Sequence, residues 1–235
     1  MTDDGLRAKA LEVHRRLAEA QGPPEPPGRL APVDELVCTI LSQNTTDVTR
    51  DRAFANLRAA YPDWAAVRDA PADALEGHIR VAGLPRQKAA SIQRALAAIT
   101  ARTGGELSLD FLAAMGRDEA RAWLTAIDGV GVKTASIVLL FALGMPALPV
   151  DTHVHRVAGR LGLIPPRMGA ARAHGFLEDL LPAALYHPFH IALITHGRRV
   201  CKAPRPRCEA CVLTDLCDWY AANGPHPAAE RSEAG

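Results

Sequence analysis

Apolar residues recur at every third or fourth position along most of this chain. Ala120, Trp123, Leu124 and Ile127 fall at i, i+3, i+4 and i+7; Ile92, Leu96 and Ile99 repeat the period, as do Phe54, Leu57 and Tyr61. That spacing lines one face of an α-helix. No stretch alternates apolar and polar residues as a half-buried strand would, and β-branched residues are scattered. The pattern predicts an all-α protein of about ten helices. A first helix over about Leu6–Gln21 runs into GPPEPPGRLAP (22–32), a Pro-rich connector that reads as a crossing between domains. A dense helical region extends to about Gly144. MPALPVDTH then breaks the period, and a second helical set runs to Cys217. The tail from residue 221, rich in Ala, Pro and Gly, reads as disordered. No internal repeat is visible.

Composition narrows the class. With 235 residues and 48% hydrophobic content, the chain can build one large core or two small ones. A formal net charge of +1 gives no global attraction to nucleic acid, so any such surface must be local. Only four of the 27 basic residues are lysines (Lys9, Lys88, Lys133 and Lys202); the rest are arginines. No apolar run reaches the ~18 residues of a membrane span. The N-terminus is charged and lacks the apolar core of a secretory signal. Five cysteines are an odd number for a disulfide framework, which points to a reduced, cytoplasmic setting.

Four of those cysteines lie within seventeen residues, as C-x6-C-x2-C-x5-C: Cys201, Cys208, Cys211 and Cys217. A structural zinc site more often uses two CxxC pairs, and here there is one. Four thiolates in one short segment favour a [4Fe–4S] cluster. Cys38, in LVCTIL, reads as a core thiol. Around the cluster segment, Arg198, Arg199, Lys202, Arg205 and Arg207 fall within ten residues that contain no acid. They are either a solvated basic face or a surface for phosphates.

Two further segments carry candidate chemistry. In Ile127-Asp128-Gly129-Val130-Gly131-Val132-Lys133, two glycines flank Val130 ahead of an apolar helix. They allow a tight turn with positive φ and leave backbone N–H groups bare for a phosphate; a plain helix–helix turn serves the pattern equally. Lys133 then falls in the first turn of the next helix, at the mouth of a buried element. Dipole and burial both disfavour its charged form. Nucleophile and phosphate contact both remain open for it at this level. In PVDTHVHR, Asp151 fits a helix N-cap, and an ionised carboxylate there can also stabilise a cationic sugar carbon. His153 and His155, two apart, point to different sides of the helix and make poor metal co-ligands.

The order and separation of GVGVKTA, PVDTH and ITHGRRVCKAPRPRCEACVLTDLC resemble the endonuclease III family of DNA glycosylases, within the helix-hairpin-helix superfamily. The resemblance spans about residues 5–220. It implies two helical domains: a six-helix domain over 25–145, and a cluster domain from 1–24 and 146–220, with duplex DNA in the cleft between them. It implies a monomeric, nucleoid-associated, bifunctional glycosylase and abasic-site lyase that removes oxidised pyrimidines of the thymine glycol type. Lys133 matches the family's Schiff-base lysine and Asp151 its catalytic aspartate. Leu84, in AGLPRQKA, resembles the wedge that enters the base stack; Gln43, Asn44, Thr45 and His153 resemble groups that fill the gap left by the flipped nucleotide. The DNA contacts implied also include Lys88, the hairpin Gly129–Val130–Gly131, and Lys202, Arg205 and Arg207.

Three features depart from the family pattern. LSQNTTD places Asn44 where a Gln is usual, Pro85 follows the wedge, and about ten extra residues between Leu96 and Ile127 read as a longer helix connection. Two rivals stand beside this reading: a monofunctional mismatch glycosylase, which shares cluster and fold but typically lacks a lysine at the hairpin, and a catalytically weak DNA-binding iron–sulfur protein, which the hairpin, basic loop and cluster would serve but which does not require Lys133 and Asp151 together.

Overall fold

The computed structural model describes residues 3–24 and 29–224. Residues 25–28 of the Pro-rich connector and 225–235 of the tail lie outside the described residues. Those described form twelve α-helices and no strand: α1 (Asp3–Gln21), α2 (Pro32–Ser42), α3 (Asp47–Ala60), α4 (Trp64–Asp69), α5 (Ala72–Ile79), α6 (Pro85–Thr103), α7 (Arg117–Thr125), α8 (Val132–Ile137), α9 (Thr152–Arg160), α10 (Ala170–Leu180), α11 (Tyr186–Arg199) and α12 (Asp218–Asn223). The helical period of the sequence is the fold class observed.

The chain divides into two compact units, Pro26–Pro149 and the pair Met1–Glu25 with Val150–Gly235. The second switch falls a few residues beyond the expected boundary at 145. Met145 packs against the core of the central unit and Ala147 belongs to it, so the broken segment stays with the helices before it.

In the central unit α2 is the spine. Val33, Leu36, Val37, Ile40 and Leu41 are all buried, and the helix packs on α3, α6 and α8. Cys38 is only half-buried, and burial pushes its thiol up to about 11. Ile92, Leu96 and Ile99 of α6 face the same core, as their spacing requires. The long connection between α6 and α7 is anchored there too. Leu109 and Leu112 are buried, and Phe111 meets Trp123 edge-on with centroids 4.9 Å apart.

The first helix belongs to the other unit for reasons its sequence does not advertise. Ala10, Val13 and Leu17 are fully buried, and α1 packs on α10 and α11. Burying Val13 and Leu17 stabilises by roughly 1.5–3 kcal/mol each. That outweighs the exposed-side ion pairs Lys9–Asp218 (2.7 Å) and Arg16–Asp215 (2.6 Å), which such geometry values at about 0–1 kcal/mol. The ion pairs do fix where α1 meets the cysteine segment. Residues 221–223, expected in the disordered tail, are helical: they complete α12, whose N-cap is Cys217, with Sγ accepting from Tyr220 N at 3.4 Å.

Candidate functional site

The glycine hairpin joins α7 to α8. Gly129 has φ 95°, and a Cβ there would run into the side chain of Ser91 on α6, so both conformation and space require glycine. Gly131 differs from the expectation of positive φ: it is an extended N-cap with φ −85°. Nothing lies within 4 Å of where its Cβ would be, so its missing side chain serves only to leave the backbone bare. Val130, between them, is buried and anchors the turn. Gln43 reaches across to it, donating from Nε2 to the Gly129 carbonyl at 3.3 Å.

Lys133 is the second residue of α8 and is half-buried. Behind it Ala135, Val138 and Leu139 are buried, whereas Ile137, Leu140 and Phe141 are half-buried, so the apolar run is not enclosed on all sides. The helix loosens into a π-turn over Val138–Ala142, a feature often found at functional sites. Sequence reasoning missed a neighbour. Glu35 of α2 accepts from the Thr39 hydroxyl at 3.0 Å, and burial pushes its carboxyl above the ordinary range, partly opposed by that hydrogen bond and by the charges of Arg50 and Lys133. A glutamate just off the buried stripe of an apolar helix was the available clue.

Asp151 caps α9: its Oδ1 accepts from Val154 N at 2.7 Å. Its cap and its charge are separable. Asp151→Ala is expected to lower stability by about 1 kcal/mol, whereas Asp151→Asn keeps the acceptor and should melt near wild type. Both should lose activity, as a thermal melt run beside a base-excision assay would read; full activity in Asp151→Asn would reduce the residue to a cap. His153 Nδ1 meets the Arg156 guanidinium at 3.1 Å. Arginine only donates, so the imidazole's own proton sits on Nε2. His155 Nε2 meets the Met168 carbonyl at 2.8 Å and is committed within its own unit.

Of the expected DNA-probing groups, Asn44 and Leu84 are exposed and left-handed, with φ 52° and 48°. Leu84 is 51% exposed at the N-cap of α6. Holding a leucine there costs roughly 1–2 kcal/mol, and strain of this kind collects at functional sites. Thr45 shares a 2.6 Å hydroxyl contact with Thr49. Lys88 corrects the expectation of a DNA contact. It is 2% exposed and its ammonium donates to the carbonyls of Leu41 and Ala82. The i+3/i+4 face of α6 that buries Ile92 also buries Lys88, so it presents no charge to the surface.

Cys201, Cys208, Cys211 and Cys217 line one apolar pocket. Burial pushes Cys211 up to about 11 and raises Cys208 and Cys217 as well. The ordinary state of such thiols is therefore protonated, and thiolates need a cationic centre to offset them. Among the described residues no group of three His, Cys, Asp or Glu is placed to hold a metal ion; the four thiols lining one pocket are nonetheless the donor set that an iron–sulfur group takes. Two polar groups missed from sequence face these sulfurs: Arg160 Nη1 donates to Cys201 Sγ at 3.3 Å, and His196 Nε2 lies 3.5 Å from Cys211 Sγ. Burial pushes His196 down to about 4, so it is neutral at physiological pH. The basic patch is open: Arg198, Arg199, Lys202, Arg205 and Arg207 are exposed, with Arg205 left-handed at φ 52°. Arg207 is partly engaged by Glu209 at 3.9 Å.

Comparison with known proteins bears on the family and the fold. Residues 37–182 match the model of the HhH-GPD superfamily base excision DNA repair proteins. Endonuclease III of Escherichia coli K12 is 33% identical over 216 residues, covering 91% of this chain and 96% of that protein. Endonuclease III of Thermotoga maritima is 33% identical over 202 residues, covering 86% and 90%. The solved structure of a non-covalent endonuclease III–DNA complex is 30% identical, covers 94% of this chain and 98% of that one, and superposes with a TM-score of 0.78.

Proposed function

The chain belongs to the HhH-GPD superfamily of base excision DNA repair proteins, and on that premise we propose a bifunctional DNA glycosylase and abasic-site lyase that acts on oxidised pyrimidines in duplex DNA. The observation that carries the lyase half is Lys133 in the first turn of α8, immediately after the Gly129–Gly131 turn. A monofunctional enzyme or a silent DNA-binding module does not require a nucleophilic amine there.

In this reading Lys133 Nζ attacks C1′ of the flipped nucleotide. The C1′–N bond breaks and the base leaves with a proton. The amine gives up one proton, the C1′–O4′ bond opens with a proton going to O4′, and a protonated Schiff base forms. Loss of a proton from C2′ then breaks the C3′–O bond and frees the downstream strand with a 5′ phosphate, and water hydrolyses the Schiff base to release Lys133. The carboxylate of Asp151 stabilises positive charge at C1′ and passes protons. Bare N–H groups at Gly131, with the guanidinium of Arg205 and the ammonium of Lys202, hold backbone phosphates. Leu84 and Asn44 enter the space left by the flipped nucleotide.

Cys201, Cys208, Cys211 and Cys217 would hold a [4Fe–4S] cluster, whose positive core would balance their thiolates. The chain's own part is to keep Arg160 and His196 on two of those sulfurs and to present the basic loop between the first two ligands. No helix among the described residues is long and apolar enough to cross a membrane.

A panel of duplexes, each with one lesion opposite each normal base, tests the substrate class. Thymine glycol is expected to be excised fastest, with strand cleavage following. Excision of mismatched thymine or adenine without cleavage would replace this reading with the monofunctional one.

A further inference from the structure

Lys88 is the most fully buried large polar side chain of the central unit, and the reaction above does not use it. It sits in the first turn of α6, where the helix dipole disfavours a cation. Its Nζ donates to the Leu41 carbonyl at 2.7 Å and to the Ala82 carbonyl at 2.8 Å. Both carbonyls are at chain ends of regular structure. Leu41 lies in the last turn of α2, where helix carbonyls run out of intrahelical partners. Ala82 closes the 3-10 turn Arg80–Ala82, and Pro85, three residues on, has no N–H to offer it.

These two carbonyls root the two segments that carry strained, exposed tips. Leu41 is followed by Gln43 and by Asn44 at φ 52°; Ala82 is followed by Gly83 and by Leu84 at φ 48°. Gln43 is in turn tied to the hairpin through the Gly129 carbonyl. A lone buried amine therefore links the gap-filling loop, the wedge and, through Gln43, the turn ahead of Lys133.

We infer that Lys88 is a positioning residue that sets the wedge Leu84 and the Asn44 loop at a fixed separation, so that both enter the base stack together when DNA binds. The inference rests on the proposed reading of these segments as DNA probes. Rigid mutual placement matters because two tips must fill one gap, and a misplacement on the order of 1 Å can cost roughly a hundredfold in rate. An apolar residue in the same space would fill the volume and leave two buried carbonyls without donors. Each loop would then relax separately toward water.

The test uses the full-length protein and a duplex with a tetrahydrofuran abasic analogue opposite 2-aminopurine, whose fluorescence rises when it is unstacked. Wild type should bind with a clear rise and should be trapped by borohydride on natural abasic-site DNA. Lys88→Met should lose most of the rise and excise a paired thymine glycol at least ~10-fold more slowly, while its trapping on a preformed abasic site changes less than ~3-fold. Leu84→Ala should likewise lose most of the rise, and the double variant should lose no more of it than the single ones. If Lys88→Met does not fold, Lys88→Gln, which keeps an N–H donor in the pocket, should show the same split at smaller size. A wild-type rise in the variant, equal loss of excision and trapping, or losses that multiply in the double variant would overturn the inference. Absence of both signals in wild type would instead overturn the glycosylase reading itself.

Discussion

Lys133→Gln is expected to abolish borohydride trapping on abasic-site DNA and to lower lyase turnover by roughly three orders of magnitude or more. Duplex affinity should stay within about tenfold, because one cation is lost while the exposed Lys202, Arg205 and Arg207 are untouched. The substitution is chosen for shape. Glutamine approximates the length of the lysine stem and retains N–H donors, but has no lone pair able to attack C1′. The local fold has anchors besides the ammonium: the turn is set by Gly129 at φ 95°, the buried Val130 and the Gln43 hydrogen bond, and α8 by Ala135, Val138 and Leu139. A folded, DNA-binding, untrappable protein is therefore the outcome, read by gel shift beside the trapping assay. Lyase activity undiminished in this variant would remove Lys133 as nucleophile. If Glu35 affects Lys133 through its charge, Glu35→Gln should alter the pH dependence of trapping without abolishing it.

How far the sequence reached can be followed residue by residue. The all-α class was legible because a period of 3.6 is written into every long element, as in Ile92, Leu96 and Ile99. The cap at Asp151 was legible because N-capping is local chemistry, needing only an acceptor three residues before an N–H. What failed depended on partners distant in sequence. Lys88 was read as a surface cation because its carbonyl partners include Leu41, 47 residues away. Its helical phase was available, yet a lysine on a buried face is rare enough that composition argues against it. Gly131 was expected to share the positive φ of Gly129, but the clash with Ser91 that makes Gly129 obligatory comes from another helix. Arg160 and His196 were missed for the same reason: they meet the sulfurs of Cys201 and Cys211 from α9 and α11. The helical state of residues 221–223 was missed because α12 is held by a cap and an ion pair to α1, Cys217 Sγ and Lys9, not by apolar periodicity.

Cys211→Ala is expected to strip the protein of iron and of the associated visible absorption, and to unlock the segment from Cys201 to Cys217 without unfolding the helices around it. That segment contains two 3-10 turns with no buried residue; its apolar anchor is Leu213. One buried leucine, at roughly 1.5–3 kcal/mol, does not offset the entropy of ordering the loop, at roughly 1–2 kcal/mol per residue. Cross-linking by four ligands does, as metal-dependent ordering does elsewhere. By contrast α1, α9 and α11 are held by Val13, Leu17, Val157, Phe189 and Leu193, all essentially buried, so helical circular dichroism should change little. Tryptic cleavage after Lys202 and Arg207 should accelerate severalfold; Arg205 is shielded by Pro206 in either state. Affinity for duplex DNA should fall and its salt dependence flatten, because the phosphate contacts of the loop are lost together. An iron-free variant with wild-type resistance to trypsin and an unchanged salt slope would mean that the four cysteines do not order the basic loop. The cluster would then require a different reason to be there. The expected result instead assigns it a mechanical role: the thiols that line the pocket and the exposed Lys202, Arg205 and Arg207 are carried by one short loop.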